Sequence, residues 1–441
     1  MIDERIALFP ATSTCDNKGH LLIGGCDVIQ LASVYGTPLY LFDESTIRQQ
    51  CQEFMSAFKA QYNHGVVVAY AAKAFINVAL AGIIADESLG LDVVSGGEIV
   101  IAQKASFPIG KVILHGNNKS PDEINMAIRS GVGQVVVDNF DEIKLLERLA
   151  AMSGDAVSIL LRVNPGVDPH THQYLTTGIL TSKFGFPMAQ VEEAVKEALD
   201  SACLNLRGLH FHIGSGISEV EPYLKVIDII LELASRLRNK YGFKMEELDI
   251  GGGFAVRYTL DQSVPDINTY AKSISVRITT RCKELGLEAP KLILEPGRAI
   301  TGRAGVALYT VGMTKEIPPF KRYIFIDGGM GDNIRPALYS ARYEAVVANK
   351  LQDKSTQKVS IAGRYCESGD ILIDGVLLPP VNTGDVIAVP VSGAYCIPLS
   401  SNYNAVPRPA IVMVSNGKAH LIRRREIYED LTAHDEIGND V

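Results

Sequence analysis

Long apolar runs are missing from this 441-residue sequence. No window approaches about 18 uninterrupted apolar residues, the length a membrane-crossing helix needs. The N-terminal Met-Ile-Asp-Glu-Arg lacks a basic region followed by an apolar core, so no secretory leader is expected. Blocks of positive charge are equally scarce. The net charge is -8, and the run Arg423-Arg424-Arg425 is followed by Glu426, Glu429 and Asp430, which balance it as a solvated face. That argues against nucleic acid as a partner. Cysteine offers neither of its usual frameworks: seven residues, without short regular spacing, suit no disulfide set and no zinc site, and suggest a reducing compartment. Low-complexity linkers are absent too. The expectation is a soluble cytoplasmic protein with no membrane or nucleic-acid partner.

What the sequence has in quantity is one recurring unit. An apolar, β-branched run ends in polar or glycine residues and gives way to a helical stretch. The runs are Val66–Ala74, Leu89–Ser95, Lys111–Asn117, Gln134–Asn139, Val157–Pro165, Leu204–Ser215, Glu247–Phe254 and Lys291–Arg298. Strands buried on both faces read as such runs. Their last residues include Lys73, Asp92, Ser95, His115, Asp138, Arg162, Asn164, His210, His212, Gly251–Gly253, Glu295 and Arg298. Eight strands with reactive groups at their C-terminal ends predict an α/β protein with a (β/α)8 TIM-like barrel and one composite site at its upper face.

The length fits two domains. Stretches such as Val191–Leu199 and Tyr223–Lys240 repeat apolar residues at three- and four-residue intervals and predict the outer helices. After Arg298 the texture becomes all-β, with runs at Val306–Val311, Tyr323–Ile326, Val359–Ala362, Val386–Val391 and Ala410–Val414. Leu21–Ile23 and Pro38–Phe42 are strand-like and precede the first barrel helix. The expected division is a barrel over 44–302 and an all-β domain built from 1–43 and 303–441.

The residues at the strand ends allow several chemistries. Lys73 can form an imine with a carbonyl, anchor a phosphate or make a salt bridge. The triplet Gly251-Gly252-Gly253 can cradle a phosphate on its backbone amides or simply make a tight turn. Glu295 and Arg298 of Glu-Pro-Gly-Arg read singly as an ion pair. His210 and His212 point to one face of a strand, as core histidines, a metal pair or a stacking surface. Together, an imine-forming lysine, a phosphate cradle and a buried carboxylate match what pyridoxal phosphate requires. The segment Asp168-Pro-His-Thr-His172 suggests metal, yet no further ligands follow at the usual spacings, and no metal is expected.

The strings YAAKAF (Tyr70–Phe75), LDVVSGGE (Leu91–Glu98), RVNPGVDPHTH (Arg162–His172), SKFG (Ser182–Gly185), HFHIGSG (His210–Gly216), LDIGGGF (Leu248–Phe254), EPGRAI (Glu295–Ile300), DGGMGDNIRPALY (Asp327–Tyr339), CESGD (Cys366–Asp370) and GAY…YN (Gly393–Asn404) closely resemble the diaminopimelate decarboxylases over about residues 36 to 415. The resemblance implies a pyridoxal 5'-phosphate-dependent carboxy-lyase of the alanine-racemase-like class. Its reaction would be the last step of lysine biosynthesis, meso-2,6-diaminopimelate to L-lysine and CO2. Lys73 would hold the cofactor, with His212 stacked on its ring and Glu295 facing the pyridine nitrogen. Ser215, Gly252, Gly253, Gly297 and Arg298 would bind phosphate or ring, and Tyr403 would touch cofactor and substrate. Arg298, Arg335 and Tyr339 would hold the substrate's distal end. Cys366, as proton donor, and Glu367, as ligand of the distal ammonium, would reach in from a second subunit, which implies a homodimer.

Arg335 and Glu367 separate this chain from the ornithine decarboxylases, which share the lysine, glycine and EPGR motifs; a surface salt bridge is the alternative role for Arg335. The chain departs from the family pattern at Phe75, Gly216, Tyr343 and Arg364, around Cys396, and at Ala405 or Val406. These positions border the pocket. They leave open a related decarboxylase or racemase acting on ornithine, arginine or lysine, or a non-catalytic cofactor-binding relative.

Overall fold

The structure, a computed structural model, describes residues 3–167 and 182–438. Asp168–His172 therefore lies outside the described residues. The chain divides into two compact units, Arg48–Val256 with Ser263–Ile300, and Met1–Ile47 with Arg257–Gln262 and Thr301–Val441.

The first unit is the barrel. Its strands are β1 (Val66–Ala71), β2 (Gly90–Val93), β3 (Val112–Leu114), β4 (Gln134–Val137), β5 (Val157–Asn164), β6 (Leu204–His210), β7 (Glu247–Asp249) and β8 (Lys291–Leu294). Each pairs in parallel with the next, and β8 returns to β1 through Leu292 opposite Val66, so the sheet closes. Ala69, Ile113, Val136, Leu160 and Ile293 pack inside the ring, which makes it a core rather than a pore. The two helices expected from periodicity form as Val191–Asp200 and Glu221–Tyr241.

Several polar residues at strand ends serve the next helix. Ser95 Oγ accepts from Glu98 N at 3.3 Å, and Asn139 Oδ1 from Glu142 N at 3.0 Å. Each is an N-cap for an otherwise unpaired helical amide. The helix Pro121–Ser130 opens on a reciprocal Ser120–Glu123 capping box and closes on left-handed Gly131.

Beside these caps lies a buried ion pair. Lys119 Nζ is 2.5 Å from Glu142 Oε1 and donates to Gly116 O and Val136 O, both at 2.7 Å. Burial pushes the Lys119 pKa down and the Glu142 pKa up, so each charge depends on the other. Lys119→Ala is expected to destabilise the barrel by about 3–5 kcal/mol, because it strands a buried carboxylate. Denaturant unfolding checks this, and the double variant Lys119→Met/Glu142→Leu should recover much of the loss.

The second unit is β-rich. Its main sheet runs in the order Ile371–Leu378, Gln357–Ala362, Lys321–Ile326, Gly305–Ile317, Leu39–Asp43, Ala410–Ser415 and Lys418–Arg423. The N-terminal strand Leu39–Asp43 sits inside this sheet, antiparallel to Gly305–Ile317 and parallel to Ala410–Ser415. Its alternate residues Leu39 and Leu41 join Val306, Leu308, Val412 and Val414 in one core. The segment Arg257–Gln262 groups with this unit through Tyr258 and Asp261, which bond Arg335 and Arg342.

Candidate active site

Lys73 follows β1 in a short turn, Ala72–Ala74, pinned where Tyr70 Oη donates to Phe75 O at 2.6 Å. Gly297 permits this turn to approach β8: a Cβ there would lie 2.9 Å from Ala74 Cβ and 3.1 Å from Ala71 O. The Lys73 amine is 2.5 Å from Asp92 Oδ2 at the end of β2, a carboxylate that is fully buried while the lysine remains 38% exposed. The amine is thus held at the barrel mouth by an anchored partner.

Glu295, from β8, is buried among imidazoles. Its Oε1 is 2.5 Å from His115 Nε2 and its Oε2 is 3.5 Å from His210 Nε2. Burial alone raises a carboxyl pKa, but the field and hydrogen bonding of His115 and His210 outweigh it and hold Glu295 well below the usual range. Asp249 shows the opposite outcome. Burial and then the neighbouring Glu295 anion push it well above the carboxylate range, which makes Asp249 the member of this pair that favours the proton. Asp249, Glu295, His115 and His210 bring donor atoms within 4.8 Å of one another, a grouping no sequence spacing indicated.

The glycine triplet has two duties. A Cβ on Gly251, Gly252 or Gly253 would fall 2.7, 2.1 or 2.4 Å from Phe211 O, Glu295 O or Gly214 O, so close backbone packing alone requires glycine. Two of its amides are already engaged, Gly251 N with Asp249 Oδ1 at 2.8 Å and Gly252 N with His212 Nδ1 at 3.3 Å. His212 is driven down to about 3 by burial and by the charges of Lys73 and Arg162, which leaves its ring neutral. Arg298 Nη2 donates to Ser215 Oγ at 3.2 Å. Lys73, His212, Ser215, Gly252, Gly253, Glu295, Gly297 and Arg298 all belong to the barrel unit. Asp92, His115 and Asp249 complete the mouth and were missed as site residues; their position at strand ends was the available signal.

The other expected residues belong to the second unit. Arg335 is buried, and its Nη1 donates to Tyr258 Oη at 2.9 Å and to Tyr343 Oη, with both rings against the guanidinium. Its burial argues against the surface-salt-bridge alternative. Tyr343, one of the departures from the family pattern, is therefore an Arg335 ligand.

Cys366 and Glu367 project into solvent from a tight loop. Asp370 braces that loop by accepting from Tyr365 N at 2.9 Å and Met330 N at 2.7 Å. Gly329 and Gly363 leave room for this carboxylate, since a Cβ on either would lie 2.4 or 2.1 Å from it. Tyr403 Oη donates to Cys366 O at 3.4 Å within the same chain. Tyr339 is 62% exposed.

An amine and an anionic carboxylate on neighbouring strands suit pyridoxal phosphate, the first for its carbonyl and the second for its ring nitrogen. The buried atoms Glu295 Oε1, His115 Nε2, Asp249 Oδ2, Asp92 Oδ1 and both ring nitrogens of His210 have no aligned hydrogen-bond partner among the described residues, as a polar cofactor site predicts. Fold and site together define a barrel-type pyridoxal phosphate enzyme. The family "Pyridoxal-dependent decarboxylase, pyridoxal binding domain" matches residues 44–302. A diaminopimelate decarboxylase of Bacillus subtilis is 45% identical, over 96% of this chain and 97% of its own. The solved diaminopimelate decarboxylase of M. jannaschii in complex with L-lysine superposes with a TM-score of 0.92 at 35% identity, covering 97% of this chain and 98% of its own. That of Helicobacter pylori, also with L-lysine, gives 0.83 at 31% identity, covering 92% and 98%. The chain belongs to the diaminopimelate decarboxylase family.

Proposed function

We propose that this protein converts meso-2,6-diaminopimelate to L-lysine and CO2, the last step of lysine biosynthesis. The observation that carries the reading is Arg335. A buried guanidinium, oriented by two tyrosines and facing no carboxylate of its own chain among the described residues, suits the distal carboxylate of a diacid. Diaminopimelate has that group; ornithine, lysine and arginine do not.

Pyridoxal phosphate, when bound, supplies the electron sink for the pair released as the bond from Cα to the carboxylate breaks. The chain does the rest. Lys73 would supply the amine that holds the cofactor, and Asp92 keeps that amine at the barrel mouth. Glu295 stays anionic for the ring nitrogen, and His212 offers an uncharged face. Ser215, Gly252, Gly253, Gly297 and Arg298 would bind phosphate and ring. As the family resemblance implies, Arg298, Arg335 and Tyr339 would hold the distal carboxylate, and Tyr403 would contact cofactor and substrate.

Cys366 of a second subunit gives its thiol proton to Cα, and Glu367 beside it receives the distal ammonium. The exposure of Cys366, Glu367, Leu338 and Tyr339 supports a homodimer that covers them. No helix among the described residues is long and apolar enough to cross a membrane. We place the protein in the reducing, cytoplasmic setting that the irregular cysteine spacing suggests.

Separate incubation with meso-diaminopimelate, ornithine, lysine and arginine, with CO2 measured, should give release from diaminopimelate alone. Release from ornithine but not diaminopimelate would overturn the assignment.

A further inference from the structure

Beyond the residues already given roles, we infer that His115 is a positioning residue that ties together the two carboxylates serving the cofactor, Asp92 beside the lysine amine and Glu295 at the ring nitrogen.

His115 directly follows β3, and its backbone N donates to Val93 O at 2.7 Å, which extends the ladder by one residue and fixes where the ring emerges. The ring is 4% exposed. Its Nε2 faces two acids, at 2.5 Å from Glu295 Oε1 and 3.7 Å from Asp92 Oδ1. The other oxygen of Asp92 is 2.5 Å from Lys73 Nζ. One continuous line of contacts therefore runs from amine to ring-facing acid, Lys73–Asp92–His115–Glu295, across the ends of β1, β2, β3 and β8. His210 closes the far side, edge-on to His115 with ring centroids 5.0 Å apart.

Chemistry gives the line a purpose. A buried carboxyl tends to take up a proton, yet a group holding a protonated ring nitrogen has to be anionic. With His115 Nε2 only 2.5 Å from Glu295 Oε1, a proton on that nitrogen would favour the anionic carboxylate. The same nitrogen is 3.7 Å from Asp92 Oδ1, so removing the imidazole takes one polar neighbour from both acids at once.

The inference rests on the pyridoxal phosphate reading, and its test separates the two. Wild type, His115→Phe and His115→Gln are prepared as apo-proteins, checked for folding by thermal melts, and titrated with pyridoxal phosphate while the near-visible absorbance is followed. Phenylalanine keeps the ring and removes the donor; glutamine keeps an N–H donor. The Phe variant should bind cofactor roughly 10- to 100-fold more weakly, the range of a lost hydrogen bond to a charged group, with an altered absorbance band, while the Gln variant stays within about threefold of wild type.

Unchanged affinity and spectrum in the Phe variant, or equal loss in both folded variants, overturns the role of His115. Absence of the band in wild type would instead overturn the cofactor reading. If the Phe variant does not fold, 15N-histidine NMR of wild-type apo-protein decides: a protonated, exchange-protected Nε2 on His115 supports the inference, and an unprotonated one overturns it.

Discussion

Lys73→Ala is expected to abolish turnover, lowering kcat by at least about 10^3-fold, and to remove the borohydride-sensitive absorbance of the bound cofactor. The amine is the one nucleophile the barrel mouth presents at the position of Lys73, and Asp92 can hold a cation there but cannot replace it. Removing the lysine also leaves a fully buried anion facing the mouth, so loss of activity in the alanine variant alone could reflect damage to the fold. Lys73→Arg resolves this. A guanidinium keeps the charge beside Asp92 but stays protonated and forms no comparable bond to a carbonyl. The arginine variant should melt near wild type and be as inactive as alanine. Substantial turnover by either variant would remove Lys73 from the chemistry.

Arg335→Ala carries the second large effect. Truncating one side of a buried, hydrogen-bonded charge pair costs about 2–5 kcal/mol, which corresponds to a fall of roughly 30- to 5000-fold in kcat/KM for diaminopimelate. Cofactor affinity should stay within about threefold, because the hydrogen bonds found for the Arg335 side chain, to Tyr258 and Tyr343, involve none of the residues proposed to hold the cofactor. Arg335→Lys should recover part of the loss, since it restores the charge without the planar fork. Equal loss of substrate turnover and cofactor binding would show that Arg335 supports the fold instead. Tyr343 refines this expectation: its hydroxyl accepts from the same nitrogen, so Tyr343→Phe should act on diaminopimelate in the same direction and less strongly.

Much of the barrel was legible because parallel strands enclosed on both faces must be apolar along their length. A lysine, a histidine or a Glu-Pro-Gly-Arg turn interrupting such a run therefore stands out. Some of these interruptions also have structural causes. Ser95 is polar because it caps a helix, and the triple glycine is bare partly because Glu295 O and Gly214 O approach its backbone too closely for any side chain. Local sequence cannot distinguish these demands from catalysis, since each asks for the same residue type at the same place. Arg335 was legible as a motif but not as a buried group, because the rings around it are those of Tyr258 and Tyr343, and Tyr258 lies 77 residues before it.

The order of β-branched runs, the polar residues closing them and the all-β texture after Arg298 determined the alternation of strand and helix and the set of groups available for chemistry. Those features depend only on near neighbours and burial. Closure of the ring decided the rest: pairing β8 with β1 brings Glu295 and Lys73 to one mouth, and β2 and β3 set Asp92 and His115 between them. Whether Glu295 or Asp249 keeps the proton follows from which imidazoles stand within reach, and only the folded chain sets those distances.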